Sequence, residues 1–313
     1  MTIKFWGVRG SIPTPLTTEK IRSRVAAVVQ RIKPSDLESA EAREAFLAKL
    51  PPYLFGTVGG NTTCVELKTE DDAIIVVDAG SGVRELGNDL VKRRSGDRIV
   101  HMLFTHFHYD HLQGLPFFQP ALRKGYTIHF YSPVRNFEAY IRDHMRPPYF
   151  PVGMDLMPAS YSFHVLRESK LRIGETTITW KRMKHPQESY SYRFARSNNV
   201  IIFATDSEIT EREFQQSEEN TGFFAGADIL VLDSQYTLEE SIDKIDWGHS
   251  SYSMAVDLAA QWKIKNLVLF HHEPMYEDKK VLGILRSAQW YARHLENRET
   301  NVVLATEGME LTV

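Results

Sequence analysis

The sequence predicts a mixed α/β protein with many strands. Three observations carry this reading. Short runs rich in Val, Ile and aromatics recur along the chain, each closed by turn residues. Stripes of apolar residues at helical period lie between and after them. Length and composition (313 residues, 42% hydrophobic, 25% charged) are those of a globular chain and exclude a disordered or low-complexity one.

The first run spans 3–8. Residues 16–55 follow; they are rich in charge and bounded by Pro13/Pro15 and Pro51/Pro52. Within them Ile21, Val25, Val28, Val29 and Ile32 form one apolar stripe at helical spacing. Ser35 and Glu38 read as a capping box starting the next helix. This segment separates the first strand from the Gly59-Gly60-Asn61 turn and reads as a helical insertion. It fits a hairpin packed on the outside, a lid, or a dimer contact.

The later strand runs are 63–67, 73–77, 99–104, 126–131, 177–183, 200–204, 229–232 and 267–270. The clearest later helices are 251–262 and 278–294. There is no internal repeat and no Gly/Ser/Pro linker, so residues 1–313 read as one domain carrying 16–55 within it.

Charge and cysteine usage narrow the class. Lys and Arg number 37 against 40 Asp and Glu, a net charge of −3. That is no electrostatic footprint for a duplex-binding or membrane-surface protein. The one cysteine, Cys64, allows no internal disulfide and no thiolate zinc site, and suits a reducing compartment. Any metal must be held by the 12 histidines and by carboxylates. The start, MTIKFWGVRGSIPTP, has no signal-peptide pattern, and no apolar run approaches the ~20 residues of a membrane span. A soluble, cytoplasmic protein is expected.

Many strand runs end on a polar residue: Asp78, Thr105, His185, Thr205, Asp233 and His271. Open sheets place ligand sites at that edge. Residues 105–111 read Thr-His-Phe-His-Tyr-Asp-His. A His-x-His-x-Asp-His match arises by chance roughly once in a thousand such sequences, so the signal is specific. His106 and His108, two apart beyond a strand, leave the backbone on one side. Asp110 and His111 diverge, which suits a second metal beside the first. His185, Asp206 and His271 stand alone at other strand ends.

This order of THFHYDH, lone His, lone Asp and final strand-His resembles the metallo-β-lactamase-fold hydrolases, as does the Asp78-Ala79-Gly80-Ser81-Gly82 turn. The resemblance implies a four-layer αββα sandwich and covers nearly the whole chain outside 16–55. Carried over position by position, it implies that His106, His108 and His185 bind one metal. Asp110, His111 and His271 would bind the other, with Asp206 bridging. Zinc is the first expectation on donor type, with manganese its competitor.

Finer details resemble the phosphodiesterase branch, which includes cyclic-nucleotide and cyclic-phosphate phosphodiesterases and tRNase Z-like nucleases. They are the stretch from His185 to Arg193, Gly248-His249-Ser250-Ser251 opening a helix, the 267–271 run, Gly7-Val8-Arg9-Gly10-Ser11, and the Gly59-Gly60-Asn61-Thr62 turn. The sequence departs from tRNase Z-like enzymes at Leu232, where a further His is expected, and lacks a Gly/Pro-rich basic arm. A small cyclic nucleotide or cyclic phosphate is therefore the expected substrate, rather than a long nucleic acid. An RNA or single-stranded-DNA nuclease and a lactonase or lactamase are the alternatives within the fold. A non-enzymatic metal-binding protein is disfavoured by the complete ligand set.

Two catalytic roles are expected. Asp110 would both ligate metal and orient the nucleophile. His249, at a helix start, would hold a phosphate oxygen or protonate the leaving alkoxide. His272, Arg146 and Tyr149 are candidate substrate contacts, Arg146 and Tyr149 lying in the rigid loop Arg146-Pro147-Pro148-Tyr149.

Overall fold

The computed structural model describes residues 1–93, 98–295 and 300–313. In chain order the first strands are β1 (Thr2–Gly7), β2 (Cys64–Lys68), β3 (Ile74–Val77), β4 (Ile99–Leu103), β5 (Thr127–Ser132), β6 (Ser160–Val165) and β7 (Leu171–Ile173). They continue with β8 (Thr176–Met183), β9 (Ser189–Arg196), β10 (Asn199–Ala204), β11 (Ile229–Asp233), β12 (Asn266–Phe270), β13 (Asn301–Leu304) and β14 (Glu310–Thr312).

These strands form two seven-stranded sheets, ordered β14-β1-β2-β3-β4-β5-β6 and β13-β12-β11-β10-β9-β8-β7. Each sheet is half antiparallel and half parallel. In the first, β3 to β6 run parallel; in the second, β10 to β13 do. The central parallel strands β3, β10, β11 and β12 have both faces covered, which is why their sequences are nearly continuous Val, Ile, Leu and Phe.

The inner faces of the sheets meet over Phe5, Val77, Leu103, Phe194, Phe203 and Phe270, all fully buried. On its outer face the first sheet carries the helices Val83–Lys92 and Phe137–His144. The second carries Glu218–Phe224, Tyr252–Gln261 and Asp278–His294. The result is helix, sheet, sheet, helix, as the resemblance implies.

All nine strand runs read from sequence form strands, with ends shifted by a residue or so. Five strands escaped that reading. Four of them, β6, β7, β13 and β14, are the sheet edges, where polar residues face solvent and the apolar signal fades. The fifth, β9, reads Ser-Tyr-Ser-Tyr-Arg-Phe-Ala-Arg, and its polar residues mask its alternation.

Between β1 and the Gly59-Gly60 turn the chain is helical over Thr18–Val29, Ala40–Ala48 and Pro52–Phe55. Two local expectations are corrected. Ser35 lies in a tight turn, Pro34–Leu37, and the next helix starts after Ser39, whose hydroxyl accepts from the Ala42 amide. The first helix buries none of its residues, and Ile21, Val25 and Val29 of its stripe are exposed. A polar anchor holds it instead: Arg24 reaches Asp278 at 2.7 Å and donates to the Gly56 carbonyl. Among the described residues no helix is long and apolar enough to cross a membrane.

Parallel pairing brings the C-terminal ends of β3 and β4 side by side, and likewise those of β10, β11 and β12. Two antiparallel steps, β8 to β9 to β10, return the end of β8 to the same edge. Every polar strand-end residue singled out above thus arrives at one edge of its sheet.

The inter-sheet core should carry the stability that fixes this edge. Phe194→Ala, removing a fully buried ring, is expected to cost about 3–5 kcal/mol. Urea denaturation should show it as a lower midpoint at unchanged slope.

Candidate metal centre

Seven residues converge where the two sheet edges meet. His106, His108, His185 and Asp206 place ligand atoms within 4.8 Å of one another, and so do Asp110, His111, Asp206 and His271. Asp206 belongs to both groups, and its two oxygens divide between them. Oδ1 lies 3.7 Å from His106 Nε2 and 4.0 Å from His185 Nε2. Oδ2 lies 3.1 Å from His111 Nε2 and 3.2 Å from His271 Nε2. A carboxylate so placed can join two cation positions.

Four of the five histidines are aimed by what holds their other nitrogen. His111 Nδ1 bonds Asp78 Oδ2 at 2.8 Å, His271 Nδ1 donates to Gln235 Oε1, and His185 Nδ1 donates to the Gly248 carbonyl. Thr105 donates its hydroxyl to Asp78 and in turn accepts from His106 Nδ1 at 3.1 Å. His108 is reversed, its Nδ1 lying 3.2 Å from His185 Nε2. Such outer contacts fix tautomer and ring orientation in metal sites. Asp110 Oδ2 accepts from the Ser11 amide at 2.8 Å, and Asp206 Oδ2 accepts from the Thr205 hydroxyl.

Backbone shape is fitted to these rings. Asp78, Asp206 and His271 all have positive φ, at 60°, 49° and 61°, a costly conformation that clusters at functional sites. Gly10 lies under His271, where a Cβ would come within 2.5 Å of the ring. Gly248, at φ +86°, likewise has no room for a Cβ beside His185 Nδ1.

The donor set fits divalent metal on two counts. His106 Nε2 and His111 Nε2 are buried with no hydrogen-bond partner, an arrangement that costs free energy unless something accepts their lone pairs. Charge points the same way. Burial opposes a proton on His271, yet Asp206, Asp110 and Asp233 hold it up at about 9. His111 is raised too, against its burial, chiefly by Asp206 and Asp110. Carboxylates that favour a proton here equally favour a cation. His106, whose burial outweighs Asp206, is held neutral, as a ligand must be.

His249 stands at the rim. Its Nδ1 lies 2.7 Å from Asp233 Oδ2, and its ring stacks on His271 with centroids 5.0 Å apart. Asp233 is fully buried, with its Oδ1 accepting from the Gln235 and Ser250 amides. Sequence reading placed Asp233 among the strand ends but gave it no role. It gave none to Gln235, Gly248 or the Ser11 amide, and treated Asp78 and Gly10 only as parts of motifs.

The three candidate substrate contacts separate. Tyr149 is exposed and lines a hollow of about 500 Å³ whose wall includes Phe107 and Tyr109 from the loop 105–111. Arg146 is not on that wall; it pairs with Asp143 at 2.7 Å, and nothing brings it to the centre. His272 is buried, its Nε2 donates to the Ala305 carbonyl, and burial drives it down to about 3. It braces the core behind the site.

Two stacked mixed sheets with a His/Asp cluster at their common edge define a metal-dependent hydrolase. A family model, the beta-lactamase superfamily domain, matches residues 74–272, and the chain belongs to that family. It is 23% identical over 269 residues to a ribonuclease Z of Thermococcus kodakarensis, covering 69% of this chain and 80% of the relative. Among solved structures it is similar to a diphosphatase of the PhnP family (TM-score 0.63, 17% identity, 100% and 97% of the two chains). It is also similar to the short form of human tRNase Z (TM-score 0.62, 17% identity, 100% and 99%).

Because Asp78 aims ligands of both groups, Asp78→Asn should weaken metal affinity by about 10–100-fold. Chelator competition should show the loss while far-UV circular dichroism stays unchanged.

Proposed function

We propose that the chain is a binuclear metal-dependent phosphodiesterase acting on a cyclic nucleotide or another small cyclic phosphate. The observation that carries this is the pair of three-residue groups with Asp206 turned toward both. His106, His108 and His185 would hold one cation; Asp110, His111 and His271 would hold the other. When bound, such a pair supplies a water deprotonated near neutral pH and neutralises charge on the phosphoryl oxygens. Zinc suits this His-rich set, and manganese is the second choice.

The chain's own groups do the rest. The Ser11 amide holds one oxygen of Asp110, which keeps that carboxylate in position to orient the attacking water. His249 bonds Asp233 through Nδ1, so its Nε2 is the nitrogen that meets substrate. There it donates to a phosphate oxygen or protonates the departing alkoxide. The buried Asp233 carboxylate steadies the imidazolium that this proton transfer needs, as a carboxylate behind a catalytic histidine does elsewhere.

A second reading has support of its own. The relative from Thermococcus kodakarensis is a ribonuclease Z, so RNA is the substrate to test beside small diesters. The near-neutral charge and Leu232, buried in β11, favour the smaller substrate.

Purified protein should hydrolyse bis-p-nitrophenyl phosphate, and a chelator should abolish the turnover. The absence of any chelator-sensitive turnover of phosphodiesters would sink the reading. A panel of cyclic mononucleotides, cyclic dinucleotides and short RNA should then show preference for a small cyclic substrate. His249→Ala should lower kcat on the best substrate by about 10²–10⁴-fold with metal content unchanged. Full activity in that variant would remove His249 from the mechanism.

A further inference from the structure

Beside the metal centre lies the hollow of about 500 Å³ introduced above. One wall is the loop 105–111 itself. Phe107 and Tyr109 alternate with His106, His108 and Asp110, and Gln187 and Glu188 follow His185 closely. Tyr140 and Tyr149 also line it. None of the seven clustered residues lines the hollow; it borders them through their chain neighbours Phe107, Tyr109, Gln187 and Glu188.

The character of the hollow selects what that group is. Tyr109, Tyr140 and Tyr149 are 68%, 46% and 66% exposed, far more than their size warrants in a folded chain. Phe107 packs on Tyr140 with centroids 5.5 Å apart and continues inward to Phe104 and Phe137. The aromatic wall is thus rooted in the core. None of the lining residues is Lys or Arg; Asp143 and Glu188 are both on the wall, with Arg146 at 2.7 Å from Asp143 and Arg182 at 3.8 Å from Glu188. A neutral planar ring would stack, and N–H groups on its edge would find carboxylate and amide acceptors.

We propose that this hollow is a nucleobase subsite, and that its carboxylates select a base with adjacent N–H donors, of which guanine offers the best match. The proposal rests on the phosphodiesterase reading for the chemistry at the neighbouring cations. It makes the substrate a nucleotide with a single base beside the scissile phosphate, rather than a base-less sugar phosphate. Tyr149 is then a specificity residue that touches substrate away from the reacting atoms.

The test compares guanosine cyclic monophosphate with the cyclic phosphate of methyl ribofuranoside, which has the same phosphate ring and no base, on metal-loaded protein. The nucleotide should have a KM lower by about tenfold or more, the scale of one base–aromatic stack. Tyr149→Ala should collapse that ratio toward one, and Tyr149→Phe should keep it. A parallel calorimetric titration compares guanosine monophosphate with ribose phosphate, and the same preference is expected. Turnover of both diesters with equal KM, or a ratio untouched in Tyr149→Ala, overturns the subsite and leaves the hydrolase reading standing. Base-dependent binding without turnover does the reverse. Neither turnover nor base-dependent binding overturns both.

Discussion

One buried carboxylate sets the geometry of the site. Asp78 sits at the end of β3 with no solvent contact. It accepts from the Thr105 amide and hydroxyl and bonds the His111 ring. Through Thr105 it also reaches His106. It therefore orients one histidine of each ligand group at once, so the two groups are not independently adjustable. Its burial raises its own pKa, against the partners that stabilise the charged form. Keeping that charge in place is the condition on which the arrangement rests.

That condition is met by the way the sheets are built. The parallel register of β3 with β4 pairs Val77 with Leu103, and one step beyond it Asp78 meets the turn that carries Thr105. The second sheet delivers Asp206, Asp233 and His271 from three adjacent parallel strands. Precision at the centre thus derives from backbone ladders and from the phenylalanine layer between the sheets. Functional groups on strand ends are held more tightly than groups on long loops.

How far the sequence reveals this site depends on the range of each contact. The cluster from His106 to His111 is legible because its residues are neighbours in the chain and follow a strand. His185, Asp206 and His271 are legible as isolated polar residues at other strand ends, though only the family resemblance joins them. Most strands are legible as well, since central strands are continuous apolar runs; the polar edges are not. The holding groups are hidden for another reason. Asp78 to Thr105, His271 to Gln235 and Gly10 to His271 are contacts between strand ends, set by which strands pair. His272 adjoins His271 in the chain, yet its own bond runs to Ala305. Arg146 pairs with Asp143, only three residues away.

The positive φ at Asp78, Asp206 and His271 carries an implication for how this protein can change over time. Glycine adopts that conformation more easily than aspartate or histidine does. Replacing any of the three with glycine would ease local strain while erasing a functional side chain. Selection for stability alone would therefore drift toward an inert scaffold of the same shape. Each of the three positions thus sets backbone strain against the chemistry of its side chain.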